Sequence, residues 1–310
     1  MASTTLIMKR CLSTSNALNV IKNVTIIGGG LMGSGIAQVT AQSGQNVTIV
    51  EVNDGAIKTA EKRISDSLVR VGKKLYKDNP QEAEKFVQGT KSKVRGVTDV
   101  GEGVKNADLV IEAIVENIDV KHKLFKQIDT LAPPSALLAS NTSSLSIRDI
   151  ASVTNRKDKF GGLHFFNPVP VMKLLEVVTT PELSEESYKS FMEWGKSVGK
   201  VCVTCKDTPG FVVNRLLVPY MAEALRMYER GDASAKDIDI AMKLGAGYPM
   251  GPIELVDYVG LDTTLFIIEG WHKKFPDNPL FVPPESLKKL VAEKKFGVKS
   301  GEGYYKYDKK

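Results

Sequence analysis

Cysteine and long apolar runs are both scarce in this sequence of 310 residues. Three cysteines cannot build a disulfide framework, so we expect a protein of a reducing compartment. No apolar run approaches the ~18–20 residues that cross a bilayer, because Glu112, Asn214 or Glu223 interrupts the longest candidates. The apolar fraction of 42% and the charged fraction of 25% are typical of a globular protein, which excludes a fibre. The length predicts one large domain or two smaller ones.

Acidic residues are missing from the first 50 positions, which contributes to the net charge of +6. That stretch holds Lys9, Arg10 and Lys22, whereas residues 285–310 hold eight lysines against four acids. The residues between these two ends are nearly neutral. Zinc-finger, basic-zipper and RNA-recognition motifs are also absent from the sequence. We therefore predict that the protein does not bind nucleic acid.

The first 19 residues are rich in Ser and Thr and lack acids, a composition typical of a mitochondrial transit peptide. An unstructured start without a function fits the composition nearly as well. A secretory signal is disfavoured because the stretch has no apolar core of roughly 7–15 residues. The chain ends in Lys309 and Lys310, which is not a peroxisomal signal of the Ser-Lys-Leu type. We expect residues 1–21 to be a transit peptide.

Strands and helices alternate in the first half of the sequence. A β-branched run at residues 23–27 ends in a glycine-rich turn, followed by a helical pattern at 36–43 and a second β-branched run at 46–51. Two further strands are predicted at 108–115 and 136–140, separated by a helix. This alternation predicts a doubly wound parallel sheet of the Rossmann type.

The glycine-rich turn has the G-x-G-x-x-G spacing of a dinucleotide-binding site, with Gly28, Gly30 and Gly33 between a strand and a helix. In such a site the first glycine permits the tight turn, the second admits a pyrophosphate, and the third allows close packing of helix on strand. Glu51 ends the next strand, where a carboxylate binds a ribose diol and repels a 2′-phosphate. The sequence therefore predicts NAD rather than NADP, the alternative being a glycine-rich loop without a ligand.

Polar residues follow the predicted strands of the sheet at their carboxyl ends. Glu116 follows one strand, and Asn141 and Ser143 follow the next. Ligands of open parallel sheets bind at this edge, so these residues are candidates for contacts with a ligand. Residues of these types also cap helices, and Ser146 and Asp149 have the spacing of a capping box. Before any resemblance is considered, the two interpretations are equally supported.

A histidine and a glutamate are placed to face each other across a β-hairpin. If the two extended runs pair about a proline-rich turn centred on residue 170, His164 lies opposite Glu176. A carboxylate in that position orients an imidazole that acts as a general base. The other two histidines, His122 and His272, have lysine-rich neighbours and are expected on the solvated surface. We therefore predict that His164 is catalytic, the alternative being a satisfied core histidine.

Cys202 and Cys205 form a C-x-x-C pair within a predicted strand. Residues three apart on a strand point to opposite faces of the sheet. No second pair and no nearby histidine completes a metal site. We expect both cysteines to be structural and predict no metal.

The second half of the sequence is predicted to be helical, with helices at residues 211–229, 235–244, 253–271 and 284–294. Ser234 is the predicted N-cap of the second helix. The predicted fold is therefore an α/β Rossmann-type doubly wound sheet followed by a smaller all-α domain. We expect a transit peptide at residues 1–21, an NAD-binding domain at 22–206 and a helical domain at 207–310.

Four segments of this sequence resemble the L-3-hydroxyacyl-CoA dehydrogenase family. They are SNTSS at 140–144, GLHFFNPVP at 162–170, DTPGFVVNR at 207–215 and GAGYPMGP at 245–252. The resemblance runs from about Lys22 to Lys310, and the length and leader are similar to those of the mitochondrial short-chain form. It implies an enzyme of the mitochondrial matrix that oxidises the 3-hydroxyl of an acyl-CoA to a ketone in fatty-acid β-oxidation, with NAD as acceptor. It also implies a homodimer formed through the helical domain.

The resemblance also implies roles for particular residues. His164 resembles the family's general base and Glu176 its orienting acid, while Ser143 and Asn214 match residues that contact the substrate oxygens and Asn167 helps to hold the site. Glu51 departs from many relatives, which carry Asp there. The NAD-contacting positions that match are Gly28, Gly29, Gly30, Leu31, Met32, Gly33, Glu51, Glu116, Lys121, Ser143 and Lys299. The coenzyme A contacts that match are Ser67, Lys74 and Ser143.

A basic helix is predicted at about residues 56–77. Arg63, Ser67, Arg70 and Lys74 recur on one stripe of this helix, which could bind nucleotide phosphates. A solvated surface face is the alternative, and the family match at Ser67 and Lys74 favours the phosphate site. Two other functions stay open: a dehydrogenase of another hydroxy acid or a sugar acid, and a non-catalytic protein that uses the fold for binding. Dependence on a thioester substrate distinguishes the first of these.

Overall fold

The structure is a computed structural model that describes residues 21–308, so the predicted transit peptide, apart from Ile21, lies outside the described residues. Within this range the chain forms one eight-stranded sheet. Its strands are β1 (Asn23–Ile27), β2 (Asn46–Val50), β3 (Val94–Val97), β4 (Leu109–Glu112), β5 (Leu137–Ser140), β6 (Phe160–Phe165), β7 (Leu174–Thr179) and β8 (Val201–Lys206).

Seven helices in the described residues accompany the strands, and five more follow them. The first group is α1 (Leu31–Gln42), α2 (Asp54–Leu75), α3 (Pro80–Lys91), α4 (Val100–Val104), α5 (Ile118–Leu131), α6 (Ile147–Ala151) and α7 (Glu185–Ser197). The second group is α8 (Val213–Arg230), α9 (Ala235–Gly245), α10 (Pro252–Val259), α11 (Leu261–Lys274) and α12 (Glu285–Ala292). The predicted fold class, a Rossmann-type sheet followed by a smaller helical part, is confirmed.

The strand order of the sheet is β3-β2-β1-β4-β5-β6-β7-β8. Strands β1 to β6 are parallel, because helical crossovers return the chain to the same end of the sheet. The order reverses between β1 and β4, which is the point where open α/β sheets bind ligands. The carboxyl ends of β1, β2, β4, β5 and β6 therefore meet at one edge.

Strand β7 runs antiparallel to β6, because the connection between them is too short for a crossover helix. Their register places His164 directly opposite Glu176, as predicted from the hairpin geometry. Strand β8 then continues the sheet parallel to β7.

The sheet is covered on both faces. Ile26 and Ile49 belong to one buried cluster, while their neighbours Ile27 and Val50 belong to another, because successive side chains of a strand point to opposite faces. A third buried cluster contains only residues from Val218 onward. The helical part therefore has its own core. Among the helices of residues 21–308, none combines the length and apolar composition of a membrane-spanning helix.

Three sequence-based boundaries were wrong. The single helix predicted at 253–271 is two helices, α10 and α11, because Gly260 has a φ of +104° and the amide of Leu261 donates to the Phe296 carbonyl. Helix α1 begins at Leu31 rather than at residue 36. Strand β4 ends at Glu112 rather than at 115, because the Glu112 carboxylate accepts the amide of Ile114 at 2.7 Å.

Candidate functional site

The glycine turn between β1 and α1 has the geometry that its spacing predicts. Gly28 has a φ of +96°, and a Cβ on it would lie 2.7 Å from the Ala113 carbonyl oxygen. A Cβ on Gly33 would lie 1.8 Å from the Gly28 carbonyl oxygen, so helix and strand pack too closely for any side chain there. By contrast, a Cβ built on Gly30 would have no atom of the described residues within 4 Å apart from those of Gly30 and its two chain neighbours. The turn therefore has open space only at its middle glycine.

The N-terminus of α1 faces this turn without a side-chain cap and without an acid in its first turn. Its free amide groups and the positive end of its dipole suit a phosphate group. Leu31 is exposed and Met32 is half-buried at the same end of the helix. The residues present therefore fit the pyrophosphate of a dinucleotide.

Glu51 lies at the carboxyl end of β2 and is tied to the glycine turn. Its Oε1 accepts the Gly29 amide at 2.6 Å, and its Oε2 accepts the Val52 amide at 3.1 Å. Arg63 of α2 donates from Nη1 to the Gly29 carbonyl at 3.3 Å. Each carboxylate oxygen keeps a further lone pair, so Glu51 can still accept from a ribose diol.

A buried ion-pair network follows β4. The ammonium of Lys121, whose side chain is 1% exposed, lies 2.6 Å from Glu112 Oε1 and 3.1 Å from Glu116 Oε2. Glu112 is fully buried and accepts the Ser140 hydroxyl at 2.6 Å through its other oxygen. The network therefore links the interior of the sheet to the loop after β5.

Glu116 organises the loop that carries Ser143. Its carboxylate accepts the hydroxyl of Thr142, the amide of Ser143 at 3.0 Å and the hydroxyl of Ser144 at 3.2 Å. Burial alone would raise the pKa of Glu116, but the Lys121 charge and these hydrogen bonds hold that pKa below its ordinary value. The ionised carboxylate is therefore the form that the fold favours.

His164 and Glu176 form a buried pair on the adjacent strands β6 and β7. Nδ1 of His164 lies 2.6 Å from Glu176 Oε2, and the Glu176 side chain is fully buried. The other oxygen of Glu176, Oε1, accepts the amides of Val212 and Val213 at 3.2 and 2.9 Å. Glu176 thus caps the N-terminus of α8, for which no side chain of α8 provides a cap. The same carboxylate therefore orients the imidazole and fixes the start of α8.

The remaining predicted residues are distributed around this edge. Asn214 is the second residue of α8 and is half-buried next to the amides that bind Glu176. Asn167 is exposed in the loop after β6. Lys299 lies in the helical part, where its ammonium contacts Asp262 Oδ2 at 2.7 Å. Among the described residues, none of these three side chains forms a hydrogen bond with His164.

Two of the three predicted coenzyme A contacts lie on helix α2. Ser67 is half-buried and Lys74 is exposed, both on α2. The stripe that they share with Arg63 and Arg70 begins at the glycine turn and extends about 16 Å along the helix, at 1.5 Å per residue.

Sequence reasoning missed three residues of the site. Glu112 was noted only as a break in an apolar run, although a charged residue at the end of a buried strand was the available signal. Asp207 accepts from the Ser146 hydroxyl and from the amides of Ile147 and Arg148, and so holds the start of α6. Phe211 packs its ring 5.4 Å from the His164 ring, and no pattern in the sequence indicated that contact.

Asn141, Ser146 and Ser234 have structural partners. Asn141 Oδ1 accepts the amide of Phe165, whereas Ser146 and Ser234 cap α6 and α9 as the sequence predicted. The two histidines expected on the solvated surface are partly buried instead, and His122 Nε2 lies 2.8 Å from the Asp149 carbonyl oxygen. His272 is half-buried on α11.

The cysteines of the C-x-x-C pair are free thiols in β8. Burial raises the pKa of Cys205 to about 12, and it also raises the pKa of Cys202. Both are therefore thiols at neutral pH and poor metal ligands. Across residues 21–308, no three His, Cys, Asp or Glu side chains come together as a metal ligand set.

A cavity of about 350 Å³ separates α11 from the sheet edge. Ser144 and Asp207 line one side, and Phe266 and Trp271 line the other. Lys274 of α11 closes one end through an ion pair with Asp149 at 3.1 Å. The helical part therefore faces the carboxyl edge across a cleft.

Comparison with known proteins identifies relatives of this chain. Residues 23–208 match the family described as 3-hydroxyacyl-CoA dehydrogenase, NAD binding domain, and residues 210–307 match 3-hydroxyacyl-CoA dehydrogenase, C-terminal domain. The mitochondrial hydroxyacyl-coenzyme A dehydrogenase of Homo sapiens is 57% identical over 288 residues, covering 93% of this chain and 92% of that protein. A probable 3-hydroxyacyl-CoA dehydrogenase of Caenorhabditis elegans is 56% identical over 307 residues, covering 99% of each chain.

Solved structures similar to this chain include a dehydrogenase of the same kind. The (S)-3-hydroxybutyryl-CoA dehydrogenase of Ralstonia eutropha superposes with a TM-score of 0.88 at 40% identity, covering 93% of this chain and 100% of that chain. A diketoreductase superposes with a TM-score of 0.80 at 34% identity, covering 93% of this chain and 99% of that chain. The fold and the sequence similarity therefore extend over both parts of the molecule.

Proposed function

The chain belongs to the 3-hydroxyacyl-CoA dehydrogenase family, and from this membership we propose that it oxidises (S)-3-hydroxyacyl-CoA thioesters to 3-oxoacyl-CoA in fatty-acid β-oxidation. The chain is an oxidoreductase that depends on NAD, since residues 23–208 match the family's NAD-binding domain. The observation that carries the catalytic proposal is the contact of 2.6 Å between His164 Nδ1 and Glu176 Oε2. That pair lies at the carboxyl edge of the sheet, where the glycine turn also lies.

His164 acts in this proposal as the general base. With Nδ1 donating to Glu176, Nε2 is left as the nitrogen that takes the proton of the substrate hydroxyl. The Glu176 carboxylate stabilises the imidazolium that forms, since it is buried next to the ring. Ser143 and Asn214 are proposed to hold the substrate oxygens, and Asn167 to support them.

The cofactor is proposed to lie along the carboxyl edge from β2 to β5. NAD supplies a hydride acceptor for the carbon that carries the hydroxyl group. The contacting residues are proposed to be the glycine turn at 28–33, Glu51, Glu116, Lys121, Ser143 and Lys299. Glu51 favours NAD over NADP, because a 2′-phosphate would meet a carboxylate already bound to the Gly29 amide.

Coenzyme A is proposed to bind along α2. Ser67 and Lys74 share one stripe of that helix with Arg63 and Arg70, and the stripe is partly exposed. Its basic side chains can form charge-assisted hydrogen bonds with the nucleotide phosphates of the thioester, and such bonds are stronger than those between neutral groups.

Assays with a thioester and with the free acid test the proposed substrate. NADH oxidation is measured by nicotinamide absorbance with each substrate. We expect kcat/KM with acetoacetyl-CoA to be at least about 100-fold above that with free acetoacetate, because binding of the coenzyme A part of the substrate contributes to catalysis. Comparable values for the two substrates would favour the alternative, a dehydrogenase of another hydroxy acid or a sugar acid. The similarity to a diketoreductase makes that comparison informative.

Three properties of the molecule are proposed alongside the activity. The domain boundary is placed between residues 206 and 207, supported by the separate core that begins at Val218. Residues 1–21 are proposed as a transit peptide to the mitochondrial matrix, supported by the mitochondrial relatives from Homo sapiens, Sus scrofa and Rattus norvegicus. A homodimer formed through the helical domain is proposed from the family, and light scattering tests it against the monomer mass of 33.9 kDa.

A further inference from the structure

The backbone of Phe211 is in a conformation that aromatic residues rarely adopt. Its φ is +54°, in the left-handed region, where a bulky non-glycine residue carries strain. Gly210 before it has a φ of +77°, and a Cβ there would lie 2.5 Å from the Trp271 ring. Such strain persists only where the surroundings enforce it, and it is concentrated at functional sites.

The turn at Phe211 directs the following amides at the buried carboxylate. The amides of Val212 and Val213 both donate to Glu176 Oε1, while Glu176 Oε2 binds His164. A change in the direction of the chain at Phe211 would therefore move the group that orients the imidazole.

The ring of Phe211 contacts the imidazole directly. Its centroid lies 5.4 Å from that of His164, and the ring of Phe166 lies 4.6 Å from the same imidazole. Phe211 is 5% exposed and packs in the same buried cluster as Phe125 and Phe160, which belongs to the sheet rather than to the helical part. The imidazole is therefore held by two aromatic rings as well as by the carboxylate.

We propose that Phe211 is a positioning residue that fixes His164 in two ways, by ring contact and through the amides that hold Glu176. This inference rests on the proposed role of His164 as the base. The strained backbone at Phe211 is explained by this role, because the same turn connects the sheet to α8 and directs the amides that bind Glu176.

Replacement of Phe211 by leucine tests the proposal, with Phe125→Leu as the matched control. Both residues are buried in one cluster, but the Phe125 ring contacts Phe160 at 4.7 Å. We expect Phe211→Leu to lower kcat for NADH and acetoacetyl-CoA by about 10- to 100-fold, because a small displacement of the His164 imidazole slows proton transfer. The KM values should stay within about threefold of the wild-type values. Phe125→Leu should keep kcat within about twofold of the wild-type value.

Proton NMR distinguishes a change at the imidazole from a general loss of packing, because it reports on the hydrogen bond between His164 and Glu176 itself. A short hydrogen bond between imidazole and carboxylate is expected to give a downfield proton resonance, identified by its absence in His164→Asn. The resonance should shift or broaden in Phe211→Leu and stay unchanged in Phe125→Leu. If Phe211→Leu does not fold, Phe211→Met, which nearly preserves the apolar volume, replaces it in both measurements.

A kcat of Phe211→Leu equal to that of Phe125→Leu, or an unchanged resonance, would overturn the proposal. Failure of the proposed function is distinguishable, because it would appear as undiminished turnover in His164→Asn. In that case the resonance still reports whether Phe211 holds the histidine.

Discussion

Lys121 shows how single residues build this site from the interior of the sheet outward. Its ammonium lies between Glu112, which is fully buried, and Glu116, whose side chain is 27% exposed. Burying charges is costly unless their remaining hydrogen-bonding groups are satisfied. The Ser140 hydroxyl and the Ile114 amide satisfy Glu112, so the charge can remain next to the proposed cofactor site.

The lowered pKa of Glu116 predicts how stability depends on pH. Because the folded pKa lies below the ordinary value of 4.5, the carboxylate stabilises the fold fully above about pH 4.5, and this contribution is lost as the pH falls through the folded pKa. We expect Glu116→Gln to lower the free energy of unfolding most above about pH 5. Urea unfolding of both proteins from pH 6 downward measures the difference, and a gap that widened toward acid would contradict this sign.

The sequence predicts some residue contacts better than others. The facing of His164 and Glu176 follows from strand pairing about a turn, which is a geometric consequence of a regular structure. Phe211 could not be assigned in this way, because its ring contact with His164 and the amide contacts that follow it come from the turn before α8. Those contacts depend on backbone conformations that residue types do not specify.

Among the elements of the fold, the glycine turn has one glycine required for packing, Gly33, and one proposed to be required for cofactor binding, Gly30. Gly33→Ala should lower the free energy of unfolding by about 1–3 kcal/mol or more, because its Cβ would overlap the Gly28 carbonyl. Gly30→Ala should leave stability within about 0.5 kcal/mol, because its φ of −62° suits any residue and its Cβ meets open space.

Cofactor affinity provides the second half of that comparison. We expect Gly30→Ala to weaken NADH binding by about tenfold or more, equivalent to 1.4 kcal/mol, because its methyl would occupy the place of the pyrophosphate. Fluorescence titration with NADH measures this. Unchanged affinity in Gly30→Ala would show that the cofactor does not lie over the turn.

Helix α2 offers a matched pair of lysines. Lys74 lies on the stripe with Arg63 and Ser67, whereas Lys73 is also exposed and lies about 100° away around the helix. We expect Lys74→Ala to raise the KM for acetoacetyl-CoA and to spare kcat, because remote phosphate contacts bind ground and transition states alike. Lys73→Ala should change neither.

Salt distinguishes this effect from a change in packing. The increase in KM should shrink as salt rises, because exposed charges are screened beyond roughly 8–10 Å at physiological ionic strength. Steady-state kinetics across a salt series measure it. Equal KM values for the two lysine variants at low salt would mean that the stripe is only a solvated face.

The broken helix shows where element prediction fails. The apolar pattern of residues 253–271 continues through the break, so periodicity alone reads one helix. Gly260 ends α10 because its φ of +104° is outside the helical region and because Phe296 captures the next amide. That partner lies 35 positions further along the chain, so a local sequence pattern cannot predict this hydrogen bond.

Across the molecule as a whole, the sheet edge and the helical part both contribute residues to the proposed site. Glu176 binds the first amides of α8, Asp207 binds the start of α6, and Lys274 pairs with Asp149. The contacts of Glu176 with α8 and of Lys274 with Asp149 join the sheet part to the helical part. The fold thereby places Asn214 on an element that is fixed by the same carboxylate as His164.

His164 is proposed as the base of an NAD-dependent oxidation. The most direct test is single-variant kinetics of His164→Asn with NADH and acetoacetyl-CoA, together with NADH affinity. We predict that kcat falls by about 10²–10⁴, the contribution of a positioned base, while the dissociation constant of NADH stays within about threefold. Turnover close to the wild-type value in a folded His164→Asn would contradict the account.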